Sequence, residues 1–371
     1  MMTRTLAALA ALAIVSSLAW AGPPTFRGLS NPAGPIQFGD AHAVSANGAV
    51  VVGGGHNITL GAEAVRWTAT GGTQGIGDLP GGTFSSWANA ISPDGSTIVG
   101  CGHSANGYEA FRWTAGGGIQ GLGDFAGGMF YSEAFDVGVT GAVGRGNSAA
   151  GWQACRWSDG SIIPLPAYPT GGYPMSARAV SANGGVIVGG DTPWRWTQAG
   201  GLQILPSLPG GAGGYAEGVS DNGTFIVGGE PSASGQWEAF LWSAAGGIRG
   251  LGDLSGGVFD SEARDVSDVG VVVGYGNLTA DVSDRVAMIW DEVHGMRNLR
   301  EVLATEYGLA ASLAGWTLTE ANGITPIGLT IVGTGINPQG QQEAWMAQLP
   351  EPATLSLLAL GAAAIIRRRR S

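Results

Sequence analysis

The sequence predicts an all-β fold, a seven-bladed β-propeller of four-stranded blades, and three observations carry that prediction. One glycine-rich unit recurs seven times, each unit has room for four short strands, and the strand missing from the last copy stands ahead of the first. A blade made from both ends of the repeat region removes two open sheet edges, so the N-terminal strand is expected to complete the last blade and close the ring.

The copies are set by two anchors. An Ala opens the first strand at Ala41, Ala88, Ala134, Ala177, Ala216, Ala263 and Ala321. A Gly closes an Ile-Val-Gly or related string at Gly53, Gly100, Gly144, Gly189, Gly228, Gly274 and Gly333. Successive glycines lie 47, 44, 45, 39, 46 and 59 residues apart, which is blade-sized spacing. A second motif, Glu-Ala-Phe-Arg-Trp, is clear from Glu63 to Trp67, Glu109 to Trp113 and Glu238 to Trp242, with Gln153 to Trp157 a close variant. Looser versions end at Trp196 and Trp290, and the last copy reads Glu343-Ala344-Trp345. A third motif, Gly-Leu-Gly-Asp-Leu or close to it, runs from Gly121 to Phe125 and from Gly250 to Leu254.

In the second copy these motifs predict strands at 88–92, 97–100, 109–114 and 119–125, with Asp94-Gly95 as a two-residue hairpin turn. Asn47-Gly48, Asn183-Gly184 and Asn222-Gly223 take the same place elsewhere. The seventh copy ends at Leu349 with three strands, and residues 26–31 resemble the missing fourth. Residues 299–313 interrupt the period. Apolar Leu299, Val302, Leu303, Leu309 and Leu313 predict a short amphipathic helix there, covering a propeller face or bracing the closure.

Composition narrows the function. The 67 glycines fit many tight turns, because Gly takes positive φ without steric cost. Between Gly22 and Leu349 stand 12 Arg and no Lys against 27 Asp and Glu, a net charge of −15. Such a body repels phosphate backbones, which excludes nucleic acid as a partner. Two cysteines are too few for a disulfide framework. Cys155 falls where sister copies carry Phe111 and Phe240 and reads as core; a bridge to Cys101 stays open in an exported chain.

The two ends read as addresses. Residues 1–21 carry Arg4, an apolar stretch over 6–18, and Ala19-Trp20-Ala21, the three parts of a signal peptide cleaved after Ala21. Residues 22–349 then form the repeat domain, and 350–371 a separate segment. In that segment Pro350-Glu351-Pro352 precedes an apolar run over 355–366 and Arg367, Arg368, Arg369 and Arg370. At about 1.5 Å per residue the run falls short of the ~30 Å hydrocarbon core, and the arginines mark its cytoplasmic side. This order of elements resembles the PEP-CTERM sorting signal of Gram-negative bacteria. The resemblance implies transient inner-membrane anchoring by the transmembrane helix, cleavage near the triplet by an exosortase, and delivery to the cell surface or extracellular matrix.

The repeat itself resembles the extracellular HAF-repeat proteins over residues 26–349, with Gly77-Asp78-Leu79-Pro80-Gly81-Gly82 the nearest match and the third, fourth and seventh copies degenerate. That likeness implies location and architecture and brings no activity.

Chemistry is sparse. Asp40, Glu133, Glu262 and Glu320 each precede the first-strand Ala, where Trp87, Ser176 and Tyr215 stand in the other copies. First strands lining a channel would make these a partly acidic ring that holds a cation or polar ligand, or a solvated rim. Six tryptophans from Trp67 to Trp290 end third strands and are expected to pack between blades. Trp87, Trp152, Trp194, Trp237 and Trp316 depart from the repeat and are candidates for ligand contacts or for gap filling; Trp87 and Trp237 are the candidates carried forward. Asp78, Asp124 and Asp253 precede a Gly-Gly turn, where an Asp bonds local backbone; calcium is the alternative. His56 and His103 lack a third ligand in the repeat. No catalytic residue and no cofactor is assigned. The sequence favours a non-catalytic surface or matrix propeller that binds an extracellular polysaccharide or a surface protein. The rival is a secreted propeller enzyme, a polysaccharide lyase or hydrolase.

Overall fold

Each of the first six copies folds its alternating apolar residues and two hairpins into four antiparallel strands, as copy 1 does with Ile36–Val44, Val50–Asn57, Gly61–Thr68 and Gly72–Gly75. The computed structural model describes residues 22–30, 34–168, 171–211, 213–233, 235–279, 281 and 284–350. The fold is all-β, with one short helix among the described residues. Five sheets have four strands, and a sixth has eight because copies 2 and 3 touch through one parallel pairing, Tyr131 opposite Tyr108.

Thr25–Gly28 adds to the seventh copy. It pairs antiparallel with Gln342–Gln348, Thr25 opposite Gln348 and Gly28 opposite Trp345. The repeat's own chemistry is reproduced there. Glu109 and Glu238 each accept a backbone N–H two residues beyond the fourth strand of their own copy, from Gly123 (3.0 Å) and Gly252 (3.2 Å). In the closing sheet Glu343 accepts from the Ser30 N–H at 3.1 Å, across 313 residues of chain.

Hydrogen bonds then run from each copy to the next around the centre. His42 bonds Ala88 O at 2.8 Å, Asn89 donates to Ala134 O at 2.8 Å, and Val180 N–H donates to Asp136 at 2.7 Å. Ala182 N–H reaches Asp221 O at 3.0 Å, Asn222 N–H reaches Asp268 at 2.8 Å, and Ile324 N–H reaches Asp265 at 2.8 Å. Asn322 donates to Ala41 O at 2.9 Å and returns the series to copy 1.

Three local expectations are corrected. The insertion is helical only over Leu299–Thr305: Gly308 at φ +69° turns the chain, and Leu309 and Leu313 reach the core from turns instead. The Asp94-Gly95 turn is a four-residue loop, since Ser92 and Thr97 pair across it; Gly95, at φ +77°, donates its N–H to Ser92 O and supplies the left-handed residue. The first strand of copy 2 runs Gly81–Ile91 and the fourth stops at Gly121, because Gly123 at φ +74° lifts the chain out of the sheet. Cys155 is buried in the core, and both it and Cys101 are free thiols.

The repeated Gly has a steric cause. A Cβ on Gly53, Gly100 or Gly228 would lie 1.9 Å from the carbonyl oxygen of the residue preceding the first-strand Ala, and 2.0–2.2 Å at the other four copies. A methyl group cannot fit there without moving strand one. Gly228→Ala is expected to destabilise the protein by about 1–3 kcal/mol or more. Gly116→Ala, where nothing lies within 4 Å, should leave the melting temperature unchanged. Thermal denaturation of both variants checks the contrast.

Candidate functional site

The same close approach breaks the register of every first strand. The ladder between strands one and two skips one residue in each copy, between Ala41 and Ala43, Ala134 and Asp136, Ala216 and Gly218, and so on round the repeat. A bulged residue is unpaired and its side chain is re-aimed. The seven residues concerned are His42, Asn89, Phe135, Arg178, Glu217, Arg264 and Asn322, and all of them line one cavity of about 350 Å³ with Asp40, Glu320 and Thr334. Every copy therefore contributes to this mouth.

Most of its charges are paired. Arg178 meets Glu217 at 3.2 Å, Arg264 meets Glu262 at 2.9 Å, and Arg285 meets Glu320 at 3.0 Å. Burial raises the Glu217 carboxyl above its ordinary value, and Arg178 and Arg264 pull it partly back. The Nε atoms of Arg178 and Arg264 are buried without a hydrogen-bond partner. Aromatic rings and guanidinium groups alternate outward from the mouth. Arg178 lies 5.4 Å from the Phe135 ring and 5.3 Å from Tyr215, and Tyr215 lies 5.2 Å from Trp237. On the other flank Arg145 lies 5.5 Å from Phe135 and 4.5 Å from Trp152, which meets Tyr131 edge-on at 4.9 Å. These side chains are half-buried, so each presents part of its surface to solvent.

The four acids chosen from sequence are distributed differently from a ring of free carboxylates. Asp40 and Glu320 face the cavity, and Asp40 accepts from Gln342 at 2.6 Å and Thr334 at 3.2 Å. Glu133 is turned to Arg145 at 2.9 Å. Glu262 is buried between Arg264 and the Tyr275 hydroxyl, which donates to it at 2.8 Å. The position one past the Ala, not one before it, supplies the ring, because the bulge sits there. Its signal in the sequence is variability: seven copies place His, Asn, Phe, Arg, Glu, Arg and Asn beside a fixed Ala.

Trp87 lies across the backbone of Gly54 in the preceding copy, and Trp237 packs on Tyr215 with its Nε1 buried and unpartnered. Trp194, a candidate for ligand contact, is fully buried: it takes the core place that Phe111 takes in copy 2. The loop acids bond backbone, Asp78 with Leu79 and Ser85 N–H, Asp124 with Phe125, Tyr131 and Asn147 N–H, and Asp253 with Asp260 N–H. Ala19, Ala21, Glu351, Pro352 and the arginines 367–370 lie outside the described residues. Among the described residues no group of three His, Cys, Asp or Glu is placed to hold a metal ion, and no helix is long and apolar enough to cross a membrane.

Further along the first strands a narrower cavity of about 100 Å³ is lined by Asp136, Asp221 and Asp265 among apolar residues. Desolvation pushes Asp136 and Asp221 up to about 6 and Asp265 up to about 8. A carboxyl raised in the folded state favours folding while it is protonated. The Asp265 contribution is therefore full below its ordinary value of 3.8 and is lost as pH rises through about 8. The melting temperature should fall across that window, and Asp265→Asn should flatten the fall. Melting curves against pH, read for both proteins, decide it.

Residues 348–370 match the PEP-CTERM protein-sorting motif. The chain carries an exosortase-type sorting signal. That signal implies export and sorting to the surface of a Gram-negative-type cell. The chain matches no curated protein sequence. Among solved structures it is similar to TolB from Acinetobacter baumannii (18% identity, TM-score 0.42, 58% of this chain and 53% of that one), so it spans about half of that relative. A gluconolactonase from Xanthomonas campestris shares 15% identity (TM-score 0.41, 90% and 93% covered). The WD40 β-propeller domain of Doa1 shares 13% (TM-score 0.43, 86% and 96% covered).

Proposed function

We propose that the chain is an exported, non-catalytic propeller of seven blades, the eight-stranded sheet counting as two, that binds a surface polysaccharide at the channel mouth. The supporting observation is the mouth itself: a 350 Å³ cavity fed by every copy, flanked by half-buried rings alternating with arginines. Rings offer flat apolar faces to sugar C–H groups, and the partly exposed Arg178 and Arg264 guanidinium groups offer donors to hydroxyls. The likeness to HAF-repeat proteins belongs to the same reading, as do passage through the inner membrane, exosortase processing and a signal peptide at residues 1–21.

Binding to a glycan array should weaken about tenfold in Arg178→Ala and in Tyr215→Ala, the loss of one charge-assisted contact or one ring. Unchanged binding in both variants removes the mouth from the reading. One observation favours an enzyme instead. Glu217, its carboxyl raised by burial, shares the cavity with Asp40 and Glu320, and a raised carboxyl beside others suits general acid chemistry. Release of sugar reducing ends by the wild-type chain, lost in Glu217→Gln, would favour that alternative.

A further inference from the structure

A second site is written in the one tryptophan-bearing junction where no arginine covers the ring. Six junctions present a tryptophan at the end of the third strand, Ala347 replacing it in copy 7. At five of them a guanidinium from the preceding copy lies over the ring. Arg27 covers Trp67 at 5.7 Å, Arg66 covers Trp113 at 5.4 Å, and Arg156 covers Trp196 at 5.6 Å. Arg195 covers Trp242 at 4.9 Å, and Arg249 covers Trp290 at 4.6 Å. The sixth junction, between copies 2 and 3, departs from this. Arg112 bonds Gln120 of its own copy at 3.1 Å and stacks on no ring. Among the described residues it is the one arginine with no carboxylate, backbone carbonyl or aromatic ring as partner. Facing it, Trp157 has a buried Nε1–H with no acceptor.

The backbone explains the gap. Copy 3 has 11 residues from Ala134 to Gly144, where copies 1, 2, 4, 5 and 7 have 13 over the same stretch. Its first hairpin is a two-residue loop, since Gly138 pairs Gly141 directly. The missing residues leave a groove of about 480 Å³ at the other end of the strands from the mouth. Its size falls within the range of small-molecule sites. Exposed Arg112, Gln120, Asp94 and Asp159 line it together with hydroxyl groups, and Val99 and Leu122 add apolar wall.

We propose that this groove binds a short neutral saccharide. Donors and acceptors stand side by side on it around apolar surface, which matches a ligand whose hydroxyls both give and accept and whose ring faces are C–H. Two acids against one arginine, on a body of net charge −15, disfavour an anionic ligand. The Arg112 guanidinium, paired with no carboxylate, disfavours a cationic one. The site is separate from the mouth and stands whether or not the mouth binds sugar.

The test titrates the full-length chain in amine-oxide micelles, a detergent without sugar, and reads tryptophan fluorescence and heat. The probes are neutral gluco-, manno- and xylo-tetraose, tetragalacturonate, and an arginine-rich tetrapeptide. At least one neutral tetraose is expected to bind, with affinity falling about tenfold in Arg112→Ala. Val139→Trp, on an exposed residue at the groove, should weaken it as well, and both losses should persist when the mouth is impaired by Arg178→Ala. Three results would overturn the proposal: no neutral tetraose binding, binding that neither Arg112→Ala nor Val139→Trp alters, or preference for tetragalacturonate or the peptide. Loss only in Arg178→Ala would assign the sugar to the mouth and reject the groove.

Discussion

Everything in the repeat follows from one close approach, a first-strand carbonyl lying over a second-strand glycine. A Cβ at that glycine would overlap the oxygen in all seven copies, so the position admits hydrogen alone. Bringing the strands that near forces the next residue out of the ladder, and the bulge that results points a side chain inward. Fold and site therefore share a cause. The glycine and the Ala are held fixed by contact, and the residue beside them varies because it has left the ladder and meets a different neighbour across the cavity in each copy.

Much of the architecture was legible because periodicity is a property of sequence. The seven Ala and Gly anchors, the Glu-Ala-Phe-Arg-Trp stretches and the residues around Phe26 mark where strands lie and which ones meet. Asp40 and Glu320 were legible as mouth residues for the same reason. The inward ring of His42, Arg178, Glu217 and their counterparts was not, since alternation assigns faces by counting in twos and a bulge breaks the count. Ion pairing was equally hidden. Glu133 and Glu262 look like free acids in a chain poor in basic residues, yet Arg145 and Arg264 stand beside them. The helix was overestimated because Leu309 and Leu313 keep a helical spacing that Gly308 prevents the backbone from using.

Charge is distributed with a purpose that net composition conceals. The body is strongly acidic, but its few arginines are concentrated at junctions, over tryptophan rings and against the glutamates of the mouth. Each such stack adds about 0.5–1 kcal/mol at an exposed site, a modest term repeated at five junctions. Arginine without lysine fits this use, because a planar guanidinium can stack and hydrogen-bond at once.

The strand Gln342–Gln348 is flanked on both sides, by Thr330–Ile336 and by Thr25–Gly28, and the sorting motif begins at its last residue. Any pull applied through the segment beyond it would enter the body along a strand held by two ladders. Load in that direction shears many hydrogen bonds together and does not peel an outer strand one bond at a time. A tether placed there can be tugged, or trimmed away, without the ring coming open.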